Sequence, residues 1–336
     1  MGNYFSNSLS NLLELFSAHT HKPSALKITA DMAQMVEHVV DVIDPKIRVI
    51  GRYAQKLNQP VSQTWEYLND MANLIPGGVV LNRARFSHDP RLKFIFDSQG
   101  IIQQLLDSVP PLMHDNTNTD TSRRVHMLLC MEKNEHNFLG TELVGDIITR
   151  DVLQTKVTFL NRKILSAGYA MDDARLGFKK CALEGLLHKA HNLVLDSRNE
   201  QKQLIERKRQ LHQQLHTVHD AKYRPQSSIF SRNDHLSDTS PELLDIERQL
   251  AELRIKSESP DQHLLQTIEV LTHPEQYLKM EKHSMRVNNI GLKLSGSNSE
   301  NGFTIDYAEI EIEQSFKRAT MIVECAAEEI FSQKIH

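Results

Sequence analysis

The fold turns on the stretch Asp172–His219, DDARLGFKKCALEGLLHKAHNLVLDSRNEQKQLIERKRQLHQQLHTVH, which contains no proline and only the glycines Gly177 and Gly185. Apolar residues recur through it with a seven-residue beat: Leu183, Leu187, Ala190, Val194, then Leu204, Leu211, Leu215 and Val218. Beyond a loop rich in Pro, Ser, Asn and Asp, a second run returns through Leu243, Ile246, Leu250 and Leu253. Spacings of three and four on neighbouring runs predict two helices zipped along a narrow seam, an antiparallel coiled-coil hairpin. At 1.5 Å per residue the first helix would span about 70 Å. Ser197, Gln201 and Lys208 interrupt the apolar seam, which costs stability and pins register. Ser240-Pro241-Glu242 is a helix start, and Ser259-Pro260 with Gln262 repeats it, so a further helical piece runs to about His273.

Strand patterns flank this arm. Upstream, Val125–Met131, Phe138–Val144 and a segment holding Val152, Val157 and Phe159 read as a three-stranded meander, with turns at Glu132–Glu135 and Gly145-Asp146. Downstream, Met285–Leu294 and Phe303–Ile312 read as a hairpin with a bulge near Tyr307, and Ala319–Ala326 as a third strand. Further out, residues 5–17 have an amphipathic pattern. Met32–Ile43, a run from Ile47 to Leu57 and a run opened by Pro60 read as three short helices, followed by one over Ser98–Leu106. The expected architecture is α+β and predominantly helical. It has a helical N-terminal region (1–115) and a mixed domain with antiparallel strands (123–180 plus 274–330). The coiled-coil hairpin (181–273, tip loop 221–239) is inserted between the two strand groups.

A net charge of −4 and a pI near 6.5 give no global basic field, and aromatics are 6% with Trp65 the lone tryptophan. Both weigh against nucleic acid as the partner. Apolar runs are too short to span a bilayer, and no charged-then-apolar leader opens the chain. Cys130, Cys181 and Cys325 are scattered and odd in number, which argues against a disulfide framework and for a reducing, cytoplasmic setting. Met1-Gly2-Asn3-Tyr4-Phe5-Ser6 fits the short myristoylation pattern, but no basic cluster follows to reinforce one acyl chain.

The chemistry-bearing residues are few. His212, His216 and His219 share one helical face at spacings able to chelate zinc or nickel. Gln213 stands where a zincin helix carries its Glu base, so exposed histidines beside a seam are the better reading. Gly-x-Ser-x-Gly, Cys-x-x-Cys, Gly-x-Gly-x-x-Gly and a Walker lysine do not occur, and no cofactor is implied. Basic residues Arg198, Lys202, Arg207, Lys208 and Arg209 alternate with Glu200 and Glu206 and lack interleaved aromatics, the pattern of a solvated helix. Tyr223, Ile229 and Phe230 stand in the polar tip loop with no local core, marking a partner-binding surface. The expectation is a non-enzymatic interaction or scaffold protein whose arm contacts a protein partner, or a second copy as a homo-oligomer. The rivals are an enzyme or ligand sensor with a site between the N-terminal bundle and the β domain, and a nucleic-acid-associated regulator using the basic arm.

Overall fold

The computed structural model describes residues 32–109, 123–144, 147–222, 241–294, 302–313 and 316–331. In chain order these form α1 (Met32–Ile43), α2 (Tyr53–Leu74), β1 (Val79–Val80), α3 (Pro90–Phe96), α4 (Gln99–Asp107), β2 (Arg124–Val144) and β3 (Ile147–Gly168). The long helix α5 (Met171–Lys222) follows, then α6 (Pro241–Glu258), α7 (Pro260–Thr272), β4 (Leu278–Val287), β5 (Phe303–Ile312), β6 (Phe316–Ala326) and α8 (Ala327–Phe331). The fold is mixed α+β. The chain divides into two compact units, one holding Thr64–Gly185 with His273–His336, the other Thr29–Gln63 with Leu186–Thr272.

The first unit is built on one sheet in the order β3-β2-β6-β5-β4, with β1 set parallel against the far half of β6. Strands from before and after the helical segment are therefore neighbours: Val125 pairs with Cys325 and Met131 with Ala319. The two edges of the sheet also meet. Val157 donates its N–H to the Gly291 carbonyl (2.8 Å), Lys293 donates to Thr155 (2.9 Å), and Lys156 bridges Leu292. Glycine is required at 291, where φ is +83° and a Cβ would lie 2.7 Å from the Val157 carbonyl oxygen. Inside this curled sheet Met127, Leu129, Met131, Phe159, Ile305, Tyr307, Met321 and Val323 pack with Leu92, Ile95 and Phe96 of α3 and Ile102, Leu105 and Leu106 of α4. Burying aliphatic and aromatic side chains of this size is worth about 1.5–3 kcal/mol each, the main force holding the unit together.

Three sequence expectations are corrected. Glu132–Glu135 is not a turn: β2 runs unbroken for 21 residues, and these four pair with Leu160, Phe159, Thr158 and Val157. The meander is a long two-stranded ribbon, and the run is polar because its outer half is solvated. Pro60 does not open a helix; it lies inside α2, where Leu57, Val61, Thr64, Leu68 and Met71 form a buried stripe that holds the helix across the missing N–H. β4 begins at Leu278, and β4 and β5 pair without a bulge from Leu278↔Ile312 to Val287↔Phe303. Ala308 and Ile310 face one way and Tyr307 the other because both faces are buried, so no bulge is needed to reconcile them.

In the second unit, Val36, Val39, Val40 and Ile43 of α1 are buried, as are Leu57 and Val61, Leu187, Ala190 and Val194 of α5, and Leu264, Val270 and Leu271 of α7. Between residues 199 and 213 of α5, Gln201, Leu204, Lys208 and Leu211 are half-buried and the side chains between them are exposed. On α6 the residues Leu243 and Ile246 are buried. Ion pairs Arg207–Glu242 (2.9 Å) and Lys208–Glu247 (2.8 Å) join α5 to α6.

Candidate functional site

Three clusters in the described residues have the chemistry to be considered: a charged group on the sheet, a buried histidine, and the outer half of the β2–β3 ribbon.

The charged group lies where β2 passes beyond β6. Lys133 Nζ is 2.5 Å from Glu309 and 3.3 Å from Glu135, and it donates to the Tyr307 hydroxyl at 3.2 Å. Lys317 approaches Glu309 (3.4 Å) and Glu311 (3.6 Å), Lys293 approaches Glu135 (3.4 Å), and the His283 ring stacks on Tyr307. Across the strand, Arg318 pairs with Glu132, which also accepts from Asn161. A lysine becomes a nucleophile or Schiff-base former when its pKa falls. Here burial pulls the Lys133 ammonium down, but Glu309 and Tyr307 outweigh it and hold it above the ordinary lysine value. Burial likewise raises Glu309, yet Lys133 and Lys317 bring it below the carboxylate range. Both partners stay charged at neutral pH, so Lys133 is no nucleophile and the cluster is an ion network that pins strand ends.

In the second unit His263 is 1% exposed, and its Nδ1 lies 2.9 Å from Asp44 Oδ2. Asp44 also caps the turn at Pro45–Val49 by accepting from the Lys46 N–H, and Arg198 stands 3.4 Å away. A carboxylate that orients an imidazole is one part of acid–base machinery, but that machinery must reach a substrate. This imidazole is closed off from solvent, and the pair instead locks α7 to the end of α1. The thiols are no better suited: burial pushes Cys130 and Cys181 up to about 11 and Cys325 to about 12, so all three stay protonated at neutral pH.

The ribbon is different in kind. Its inner half, Val125–Met131 with Val157 and Phe159, is core, while residues 134–137 and 148–151 are exposed. On that outer half stand three large aliphatic residues, Leu139 (66% exposed), Ile148 (68%) and Leu153 (68%). Leu139 and Leu153 are direct cross-strand partners, and Ile148 is opposite Leu143. Residues 148 and 153 are an odd number apart and would face opposite sides of a regular strand. A bulge prevents this. The register slips between Gly140 and Glu142, where Asp151 has a φ of +57°. One extra residue in β3 thus returns Ile148 to the face that carries Leu139 and Leu153. A second slip, beside Asn161 (φ +48°), bends the same strand nearer the core. Apart from glycine, Asn and Asp are the residues that accept this backbone at least cost.

Of the residues singled out in the sequence, His212 is exposed on α5, while His216 and His219 lie on its last turns, where only the backbone is described. No group of three potential metal ligands comes together among the described residues. Tyr223, Ile229 and Phe230 lie outside the described residues, as does Gly2. Sequence reasoning passed over the ribbon; the available signal was a run with strand-forming residues on both sides and no Pro or Gly at Glu132–Glu135. No family model matches the chain, and no curated protein or solved structure matches it significantly. No helix among the described residues is long and apolar enough to cross a membrane.

Proposed function

We propose that this chain is a non-enzymatic interaction or scaffold protein that holds a protein partner through the outer half of the β2–β3 ribbon and through the paired helices α5 and α6. The observation that carries the reading is the apolar face of Leu139, Ile148 and Leu153, kept in solvent on a two-stranded element whose bulge gathers them together. Exposed large apolar groups that share one face favour contact over solvation. The half-buried stripe Gln201, Leu204, Lys208 and Leu211 supports the coiled-coil reading of the arm, and Ile205 (52% exposed) and Leu244 (56%) leave apolar surface beside it. The basic residues of the arm are engaged by acids, Arg207 by Glu242, Lys208 by Glu247 and Arg209 by Glu206, which disfavours a phosphate track.

The test is quantitative capture from the native lysate with wild type, the double variant Leu139→Ser/Leu153→Ser, and a variant lacking residues 205–255. Mass spectrometry of the bound fraction and light scattering of the purified proteins give the readouts. A protein retained by wild type and lost from one or both variants is expected, or a fall from oligomer to monomer if the partner is a second copy. Identical bound fractions and identical masses for all three proteins would sink the reading.

A further inference from the structure

Nothing in the interaction reading uses an open surface pocket of about 460 Å³ in the first unit, lined by Arg85, His88, Asp89, Pro90, Arg91 and Phe303. Its volume lies in the lower part of the range for small-molecule sites. The wall that carries the cations is held from several sides. Asn82 Oδ1 accepts the N–H groups of Ala84 and Arg85, and the Arg85 carbonyl accepts from both His88 (2.9 Å) and Asp89 (2.9 Å). The preceding Arg83 is anchored to Glu329, to Gln103 and to the Glu329 carbonyl. The aromatic wall is equally set: Phe303 packs edge-on against Phe94, with ring centres 5.9 Å apart.

The charge count on this frame is one-sided. Asp89, the lone carboxylate of the lining, accepts from Nε and Nη2 of Arg91 as well as from its backbone N–H. That engages two of the five guanidinium donors of Arg91 and leaves the remainder available. Arg85 is exposed, and its side chain has no partner among the described residues; the same holds for His88. Once Asp89 is set against Arg91, the guanidinium charge of Arg85 stands uncompensated beside an aromatic face, and the His88 imidazole adds a ring nitrogen able to hydrogen-bond. A planar guanidinium fork matches two phosphate oxygens, and two donors answer a dianion better than a single carboxylate charge.

We infer that this cavity is a binding site for a small phosphate monoester on an aromatic body. Arg85, His88 and the free edge of Arg91 take the phosphate, and the ring lies against Phe303. The site is distinct from the ribbon and the arm, so it can be present whether or not the interaction reading holds.

Isothermal titration of the full chain tests it with three probes: phenyl phosphate, inorganic phosphate and phenol. Phenyl phosphate is expected to bind at one site per chain, inorganic phosphate about tenfold more weakly, and phenol without saturation, since the aromatic stack and the anion contact each add to affinity. Adenosine monophosphate in a fourth arm separates a nucleotide site, where it outcompetes phenyl phosphate, from a site for simpler aryl phosphates, where it does not. Arg85→Gln should weaken phenyl phosphate by about tenfold or more while circular dichroism stays unchanged, because it removes a charge-assisted pair without touching the core. Phe303→Leu should weaken phenyl phosphate but leave inorganic phosphate unaltered. No saturable binding of phenyl phosphate to wild type would overturn the inference, as would affinity indifferent to Arg85→Gln.

Discussion

The two halves of the β2–β3 ribbon share strands, hydrogen-bond pattern and alternation, yet they live in different solvents. The inner half places Met127, Leu129, Met131, Val157 and Phe159 in the core, each 1% exposed or less. The outer half places Leu139, Ile148 and Leu153 in water at about two-thirds exposure. Lys133, Glu135 and Glu309 mark the passage from one to the other. Strand formation is thus indifferent to burial here. What changes along the ribbon is what covers it, which makes the outer half a surface and the inner half a scaffold.

The sharpest way to break that contrast is in the inner half. Phe159→Ala removes a ring in edge contact with Phe94 and Tyr307 and should cost about 3–5 kcal/mol, read as a large fall in the melting temperature.

Next comes the ion network. Lys133→Ala leaves the Glu309 carboxylate, in a largely buried side chain, with Lys317 alone. The expected loss is about 1–3 kcal/mol, measured by urea unfolding. Its pH dependence follows from the shifts. Glu309 is depressed in the folded state, so its contribution is present above the unfolded value of about 4.3 and lost as pH falls through the folded value. Lys133 is raised, so its contribution is present below the unfolded value of about 10.4 and lost only as pH rises through the folded value. Wild type should therefore lose stability on acidification more steeply than Glu309→Gln, with no difference in slope between about pH 6 and 9. Parallel curves at low pH would show that the pair carries no net stabilisation.

An effect of similar size, but confined to one place, sits at the seam between sheet edges. Gly291→Ala forces an L residue into positive φ against the Val157 carbonyl and should cost about 1–3 kcal/mol. Hydrogen exchange should speed up at the Val157 and Lys293 amides, whose acceptors lie across that seam, before it does at Met127 or Met321. The smallest effect belongs to the outer half. Leu139→Ser/Leu153→Ser should shift stability by less than about 0.5 kcal/mol per site while altering partner capture. A large loss of stability would mean that these side chains are covered in the folded chain, and the contrast between the halves would disappear.

Much of this architecture was legible in the residues, and what was not has identifiable causes. The beat of Leu183, Leu187, Ala190 and Val194 predicted α5, and Ser240-Pro241 and Ser259-Pro260 set the starts of α6 and α7, because period and caps are local signals. Structure departs from the local signals where tertiary context overrides them. Polar residues at Glu132–Glu135 resemble a turn unless the strand leaves the body, and Pro60 resembles a start unless a buried stripe spans it. Nor does any local rule announce that Gly291 meets Val157, or that Asp151 sits in a bulge and turns Ile148 onto the apolar face. The cationic pocket has no local signature, because Phe303 comes to it from more than 200 residues beyond Arg85 and His88.

The pairing of β2 with β6 also sets a timetable for synthesis. Val125 and its partner Cys325 are 325 − 125 = 200 residues apart. At about 5–20 residues per second, β2 waits roughly 10–40 s on the ribosome before its neighbour exists. For that interval the ribbon can close with β3, but its inner edge is open and its core face, with Met127, Leu129 and Met131, has no roof from β6. The intervening helices α5, α6 and α7 form from local contacts and need not wait. Nascent chains stalled before residue 316 should therefore hold the helical insert folded and the sheet unfinished. At that stage an unpaired strand edge and an uncovered apolar face are exposed together, the condition under which partly folded chains aggregate.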